Sequence, residues 1–166
     1  MSSSRLKSEL ARVEANRWHQ SPYDDGVVAW LPLLSISATG LWLGLDAEGD
    51  WILGRLSGRV ASSKASLPQS WLTILDSEED AFRAKVDSAA AEHGLTPSDL
   101  QQMLPVDKVL VMAMRSGSGH WAKRAVSWLL ERPLNDEHLA LLSMLTTARW
   151  VDQWTRHAAR RLSHGH

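Results

Sequence analysis

The chain has 166 residues and a formal net charge of −1 at pH 7, with a hydrophobic share of 44% and a charged share of 22%. A chain of this length and composition can bury a core of its own, which excludes disorder over its whole length. The absence of cysteine excludes disulfides, thiolate metal sites and cysteine nucleophiles, and it fits a reducing compartment. We therefore expect one cytoplasmic domain, 1–166.

Targeting segments are not expected. The first 18 residues carry six charged side chains and no apolar run, which argues against a secretory signal. No window approaches about 18 uncharged apolar residues, so we expect no membrane-spanning helix.

Tryptophan and charge are both used unevenly. The chain is tryptophan-rich, with nine Trp against one Tyr and one Phe, which is typical of thick aromatic cores or of aromatic binding surfaces. Residues 18–110 carry 6 Lys/Arg and 13 Asp/Glu, whereas residues 111–166 carry 8 and 4. The acidic middle and the basic end can steer a partner, or they can match each other inside the molecule.

The N-terminal stretch has the spacing of an amphipathic helix. Leu6, Leu10 and Val13 recur at intervals of four and three after a serine run, which predicts a helix over 4–18 with a serine N-cap. Ser21-Pro22 is predicted to stop this helix, because a residue before proline avoids the α region. The segment from 24 to 26 reads as a turn.

The periodicity changes to that of strands between 27 and 60. Residues 40–45 and 51–56 flank a short acidic loop, Asp46–Asp50, which predicts a hairpin. Residues 27–31 and 33–37 form a strand pair or one broken strand, and Pro32 confines it to a sheet edge or a bulge. Residues 57–58 and 61–66 read as a mobile linker, and residues 71–75 fit either a strand or a helix.

The remaining residues show helical spacing interrupted by prolines and glycines. Helices are predicted over 78–93, from Pro97 onward with Thr96 as N-cap, and over 106–114, 120–131 and 136–163. Thr146-Thr147 mark a kink or a short gap in the last of these.

These elements predict a helix-dominated α+β fold, with a small antiparallel β-meander or hairpin in 18–66 and a helical bundle in 67–166. The C-terminal helix pair is similar to a HEAT-type repeat pair, although no second copy at a fixed period precedes it. The predicted core draws on apolar positions from both parts: Leu41, Leu43, Leu53, Phe82, Val86, Val109, Met112, Trp121, Val126, Leu129, Leu141, Leu145, Val151, Trp154 and Leu162.

The preferred functional hypothesis is a non-enzymatic protein-binding module. The acidic hairpin loop, with Asp46, Glu48, Asp50 and the adjacent Trp51, is the predicted contact surface for a partner with a basic surface. Uneven charge and excess tryptophan resemble, by composition alone, small bacterial immunity or inhibitor-type proteins.

A glycine-serine loop before a helix supplies a first alternative. Ser116, Gly117, Ser118 and Gly119 precede a predicted helix whose early turns carry Lys123 and Arg124. Exposed backbone N–H groups at a helix N-terminus, together with two cations, can hold a phosphate or carboxylate. The loop lacks the ending of a P-loop, so ordinary serine capping between helices explains it as well.

The basic end of the chain supplies a second alternative. Arginine lies near tryptophan in the last predicted helix, a combination found in nucleic-acid-binding modules and in protein interfaces. Arg156, Arg160 and Arg161 lie in the last turns, where cations favour the negative end of any helix dipole, and Trp154 fits the apolar stripe. The residues concerned are Arg149, Arg156, Arg160 and Arg161.

Metal and hydrolytic sites are not indicated. The seven histidines include no pair at i, i+4 with a nearby carboxylate, which is the spacing by which one helix face binds zinc. The acidic hairpin loop lacks the downstream bidentate glutamate of a calcium loop, and no G-x-S-x-G elbow is present. We expect no metal and no cofactor.

Overall fold

The computed structural model describes residues 2–24, 26–62, 64 and 67–165. Within these ranges, seven α-helices and five β-strands follow one another, with two 3₁₀ segments at Ala15–Arg17 and Gln69–Asp76. The strands are β1 His19–Tyr23, β2 Gly26–Ser35, β3 Trp42–Asp46, β4 Trp51–Gly54 and β5 Val60–Ser62. The helices are α1 Ser2–Leu10, α2 Glu79–Glu92, α3 Pro97–Met103, α4 Val106–Arg115, α5 Gly119–Leu129, α6 Asp136–Leu145 and α7 Gln153–His164. The predicted helix-rich α+β class is confirmed.

The chain forms two compact units. The first consists of Met1–Thr73 and Asp80–Pro105, and the second of Ile74–Glu79 and Val106–His166. The predicted boundary between a β-rich part and a helical part, at 66/67, falls inside the first unit, because α2 and α3 belong with the sheet.

The sheet is an antiparallel meander in the order β1-β2-β3-β4-β5. The predicted hairpin around Asp46–Asp50 is confirmed, since Leu43 pairs with Leu53 and Leu45 with Trp51. Residues 26–35 form one strand, and its register shifts between Pro32 and Leu34. The proline therefore lies at a bulge, one of the two positions predicted for it.

Both faces of this sheet bury large side chains. Trp30, Ile52 and Val60 form a cluster on one face, and Trp30 donates its indole N–H to Ser21 Oγ at 2.9 Å. On the other face, the leucine and tryptophan side chains of the β2–β3–β4 region are buried: Leu31, Leu34, Leu43, Leu45, Trp51 and Leu53. The strands pack so closely at Gly44 that no side chain fits there, since an added Cβ would lie 2.1 Å from Leu31 O.

Two expectations for the N-terminal half are wrong. The first helix ends at Leu10 and not at Trp18, and residues 15–17 form a separate 3₁₀ turn. Ser21 and Pro22 do not stop a helix, because they lie within β1. This strand is at the edge of the sheet, where proline is tolerated because it has no backbone N–H to donate to a second neighbouring strand. The 24–26 turn includes Asp24 with a positive φ of 46°, while Asp25 lies outside the described residues.

The predicted linker is also partly wrong. Residues 61 and 62, which were predicted to be linker, belong to β5 together with Val60, and this strand pairs with β4. Ser63, Ala65 and Ser66 lie outside the described residues. The ambiguous stretch at 71–75 is part of a 3₁₀ helix.

The helix after Thr96 begins where predicted, but Thr96 does not cap it with its side chain. The hydroxyl binds Glu9 of α1 instead. This hydrogen bond joins two helices that pack together in the first unit.

The second unit is a bundle of four helices. α4 packs against α5 and α6, and α7 packs against the same two helices, so the four close a ring. The predicted interruption at 146–147 is confirmed as a non-helical stretch between α6 and α7. Side-chain caps define the starts of three of these helices: Ser118 for α5, Asn135 for α6 and Asp152 for α7.

The core prediction is confirmed at most positions and wrong at Trp154. Trp154 is 41% exposed, whereas Leu43, Phe82, Val126 and Leu145 are buried. The other exceptions are only half-buried: Leu41, Met112, Trp121 and Leu162.

None of the described helices has the length and apolar character needed to cross a membrane.

Candidate functional site

The acidic hairpin loop is held by its own carboxylates and by two lysines. Asp46 Oδ1 accepts the backbone N–H groups of Glu48 at 2.9 Å and of Asp50 at 2.8 Å. Lys7 Nζ lies 2.5 Å from Glu48 Oε2, and Lys64 pairs with Asp50. Burial raises the pKa of the Asp46 carboxyl above its ordinary value, although the backbone hydrogen bond from Asp50 opposes this shift. The carboxylate of Asp46 therefore closes the hairpin, and those of Glu48 and Asp50 are paired with Lys7 and Lys64.

Trp51 was expected to contact a partner, and this expectation is wrong. The side chain is 1% exposed and packs edge-on against Trp71, with ring centroids 6.5 Å apart. All four residues of β4 are buried, so neither face of this strand leaves a side chain exposed. Trp51 pairs with Leu45 of β3.

The glycine-serine loop is closed by its own hydroxyl groups. Ser116 Oγ donates to Ala113 O at 2.7 Å and accepts the N–H of Ser118 at 3.1 Å. Ser118 Oγ caps α5 by accepting the N–H of Trp121 at 3.5 Å. Gly117 has a positive φ of 71°. These contacts are those of a serine-capped connection between helices.

The cations expected beside this loop have carboxylate partners. Lys123 Nζ lies 3.0 Å from Asp152 Oδ2, and Arg124 Nη1 lies 3.1 Å from Glu78 Oε1. Arg124 also donates through Nε to Leu75 O at 2.5 Å. Gly119 lies against the loop before α7, where an added Cβ would be 2.8 Å from Trp150 O. The structure thus places the predicted anion-binding residues in separate contacts.

The four arginines of the basic end do not act together. Arg149 lies in the loop between α6 and α7, so its expected place on the last helix is wrong. Arg156 donates through Nη1 to Val151 O at 2.6 Å and to Ala148 O at 3.4 Å, which holds that loop. Arg160 and Arg161 remain on the exposed surface of α7.

The exposed face of α7 has a mixed aromatic and cationic lining. A concavity of ≈ 870 Å³ lies along it, and all of its described lining side chains belong to α7. They are Gln153, Trp154, His157, Arg160, Arg161 and His164. At about 100° per residue these positions fall within roughly 120° of the helix circumference, which makes them one face. We call these six residues the α7 face.

The opposite side of α7 consists of small residues that are fully buried. Thr155, Ala158 and Ala159 have no exposed surface, and they allow close packing within the bundle. Asp152 fixes the start of the helix by accepting the N–H of Thr155 at 2.7 Å. The backbone N–H of Thr155, and then Lys123, lower the pKa of Asp152 to about 2. The carboxylate is therefore charged across the whole range of neutral and mildly acidic pH.

Trp154 and Lys123 form a small aromatic-cationic pair at one end of the α7 face. The ammonium nitrogen lies 5.5 Å from the indole centroid, within the range of a cation–π contact. Trp150 is 40% exposed in the preceding loop. Sequence reasoning placed Trp154 in the core because it shares helical spacing with Val151 and Ala158. The spacing of Gln153, His157, Arg160 and His164 at four, three and four residues would have indicated the exposed face.

A second concavity lies in the first unit. It measures ≈ 430 Å³ and is lined by Leu34 and Ser35 of β2 and by α2 residues from Ala84 to Glu92. Its polar lining includes Lys85, Glu92 and Ser88, whose Oγ donates to Ala84 O at 2.9 Å. This surface offers little that is chemically distinctive.

Among the described residues, no three His, Asp or Glu side chains are grouped so that they could hold a metal ion. One buried imidazole stands apart from the exposed histidines. His138 is 1% exposed, its Nδ1 lies 3.5 Å from the Asn135 nitrogen, and its Nε2 lies 4.0 Å from Asp107 Oδ1. This imidazole serves the cap of α6, because Asn135 and His138 form a reciprocal capping box.

No protein-family model, no curated protein and no solved structure matches this chain.

Proposed function

We propose that this chain is a non-enzymatic, cytoplasmic protein-binding module whose contact surface is the α7 face. The single observation that carries the proposal is the 41% exposure of Trp154 on a helix face that also presents Arg160 and Arg161. Tryptophan and arginine are the residues most enriched among those that dominate binding energy at protein interfaces. The cysteine-free composition supports the cytoplasmic location.

The lining chemistry supports binding over catalysis. The described lining residues of the α7 face combine an indole, an amide, two imidazoles and two guanidinium groups. None of these described groups is a carboxylate, and none is a serine, threonine or lysine nucleophile. Such a surface can hold a partner by apolar contact and charge, which are the ordinary determinants of protein recognition.

The acidic hairpin loop, first expected to be the partner surface, is the competing candidate. Glu48 and Asp50 are partly exposed, and the pairing of Glu48 with Lys7 between two exposed side chains is weak in water. A partner with a basic surface, as in an immunity or inhibitor-type complex, would have to displace Lys7 and Lys64 from this loop. The α7 face requires no such exchange at Arg160 and Arg161.

Selection from a displayed random-peptide library separates the two surfaces. The bait is the full chain, and the enriched peptides are tested against two variants that keep the backbone contacts. Trp154→Ala/Arg160→Ala/Arg161→Ala alters the α7 face, and Glu48→Gln/Asp50→Asn removes two charges from the loop. Circular dichroism and thermal unfolding of each variant establish that it is folded.

Peptides that bind wild type and the loop variant, but lose at least about tenfold in affinity for the α7 variant, support the proposal. Peptides that are insensitive to the α7 variant contradict it. If they lose affinity for the loop variant instead, the acidic loop is the contact surface. Failure to enrich any peptide also contradicts a protein-binding module.

A further inference from the structure

The α7 face differs in chemistry from one end to the other. Trp154 lies in the first turn of α7, and Arg160 and Arg161 lie six and seven residues further along. At 1.5 Å of rise per residue, the aromatic end and the cationic end are about 10 Å apart. A ligand that contacts both ends must present an apolar group and an anionic group at that separation.

The positive charge at the cationic end has no matching carboxylate on the α7 face. The described lining holds the guanidinium groups of Arg160 and Arg161 without any Asp or Glu. Asp152, the carboxylate at the start of α7, is occupied by the Thr155 N–H and by Lys123. The unmatched guanidinium groups therefore favour carboxylates or phosphates on the partner, because charge-assisted hydrogen bonds are the strongest that they can make.

The shape of the surface favours an elongated partner. Its described lining runs from Gln153 to His164 along one helix, a length of about 16 Å or three helical turns. A helix laid beside another helix makes contacts at i, i+3, i+4 and i+7, which matches the spacing on α7. An amphipathic helix of three turns or more can therefore follow the whole face.

Taking the protein-binding function as its premise, we infer that the partner segment is an acidic amphipathic helix that runs antiparallel to α7. Its carboxylates lie in its own first turn, opposite Arg160 and Arg161, where they also favour the positive end of its own dipole. A large apolar side chain two turns later lies about 10 Å away and contacts Trp154. The direction follows because the cationic end of the α7 face is its C-terminal end.

Nucleic acid is the rival ligand for the same guanidinium groups. It would use Arg160 and Arg161 on phosphates and Trp154 for stacking, and its affinity would depend steeply on salt. A phosphate backbone carries charge along its whole length and has no requirement for an apolar group at one end. The affinity of a peptide helix should therefore depend on the order and spacing of its acidic and apolar groups, whereas the affinity of a nucleic acid should not.

Three synthetic peptides of about 18 residues, a length at which helix formation becomes practicable, test the inference. The first has two glutamates in the first turn and a leucine two turns later. The second replaces the glutamates by glutamine, and the third reverses the order of the acidic and apolar positions. Fluorescence anisotropy of each labelled peptide is measured with the full chain, and a labelled DNA duplex and single strand serve as nucleic-acid probes.

We expect the first peptide to bind at least about tenfold more tightly than the second, because glutamine removes both charge-assisted contacts to Arg160 and Arg161. The third peptide should also bind more weakly than the first. Arg160→Ala/Arg161→Ala should abolish the difference between the first and second peptides. The matched control Lys108→Ala/Arg115→Ala, which removes two exposed cations from α4, should preserve it.

Equal affinity for the first and second peptides overturns the inference, and so does equal affinity for the first and third. DNA binding that depends on Arg160 and Arg161, without peptide binding, identifies nucleic acid as the ligand and also overturns it. The proposed function fails separately. If library selection yields peptides that depend on the α7 face but carry no acidic residues, the module stands and only the acidic-helix partner is rejected.

Discussion

Thr96 donates its hydroxyl hydrogen to Oε1 of Glu9 at 2.6 Å and its backbone N–H to Oε2 of the same carboxylate at 2.8 Å. One glutamate of α1 thus satisfies the residue that precedes α3, in place of a side-chain cap from Thr96 itself. Arg5 completes the contact, with its Nε 3.1 Å from Glu9 Oε1. This bidentate contact joins segments that are 87 residues apart in the sequence.

Glu9→Gln should destabilise the first unit by about 1 kcal/mol, because the amide oxygen cannot accept both donors of Thr96 and one half-buried donor loses its partner. The measurement is the urea midpoint of unfolding. Glu14→Gln, at an exposed position, should leave the midpoint unchanged. Equal midpoints for Glu9→Gln and wild type would show that water replaces the contact without loss.

The same carboxylate should make the first unit sensitive to acid. Burial raises the pKa of Glu9, but the hydrogen bonds from Thr96 and Arg5 outweigh it, so the pKa lies below its ordinary value of 4.5. The stabilisation is therefore present above the unfolded-state pKa and is lost as the pH falls through the folded-state pKa. The difference in unfolding free energy between wild type and Glu9→Gln should shrink on acidification below about pH 4.5.

Gly44→Ala should destabilise the sheet by at least about 2 kcal/mol, because the added methyl group meets the backbone of β2, which cannot move aside as a side-chain end would. The clash is with Leu31 O at 2.1 Å and Trp30 Cε3 at 2.7 Å. Gly26→Ala is the matched control in the neighbouring strand, since its closest heavy atom would be Tyr23 O at 3.9 Å. In thermal unfolding, Gly44→Ala should lower the midpoint temperature and Gly26→Ala should leave it unchanged.

His138 should make the second unit less stable as the pH falls from neutral. Burial lowers the pKa of His138 below its ordinary value of 6.5, Asp107 opposes the shift, and Arg132 adds to it. The unfolded state therefore takes up a proton first, and the stabilisation present above about pH 6.5 is lost between that pH and the lowered folded-state pKa. Protonation of Nδ1 would also remove the acceptor for the Asn135 N–H.

The corresponding measurement compares unfolding midpoints at pH 8 and pH 5, where wild type should lose more stability than His138→Gln. The glutamine keeps an acceptor for the helix cap but does not titrate. His157→Gln, on the exposed α7 face, should retain the wild-type pH dependence. An identical pH dependence for wild type and His138→Gln would contradict a role for the buried imidazole.

Asp152→Ala should cost about 1 kcal/mol through loss of the α7 cap, whereas Asp152→Asn should cost less because the amide oxygen still accepts the Thr155 N–H. Asparagine removes the charge that pairs with Lys123, but that pair is largely exposed and contributes little. Chemical denaturation of both variants measures the difference. Equal losses for the two substitutions would show that charge, and not capping, is the dominant contribution.

The fold was predictable wherever one strong local pattern acted alone. Alternating apolar residues on either side of Asp46–Asp50 predicted the hairpin, and the helical spacing that begins at residue 136 predicted the start of α6. The N-terminal helix was predicted too long because Val13 continues the apolar spacing of Leu6 and Leu10. No proline or glycine directly follows Leu10, so the sequence does not indicate that the helix ends there.

The candidate site was less predictable, because exposure depends on packing around the whole helix. Val151, Trp154 and Ala158 fit one stripe by spacing alone, yet the small residues Thr155, Ala158 and Ala159 define the buried side. The acidic loop stood out by composition, but its pairing with Lys7 and Lys64 involves residues distant in sequence. Ion pairs between residues this far apart in the sequence cannot be predicted from the local spacing of residues.

The bulge in β2 makes the sheet unequally tolerant of changes in chain length. Pro32 pairs with Gly44 and Leu34 with Leu43, so Leu33 is the one residue between them without an opposite partner. Removing Leu33 would restore an uninterrupted ladder and leave every neighbouring side chain on its present face, at the cost of one buried leucine. Deleting a paired residue such as Leu31 would instead turn part of the strand over, exchanging its inner and outer surfaces. Length variation in this strand is therefore confined to a single position.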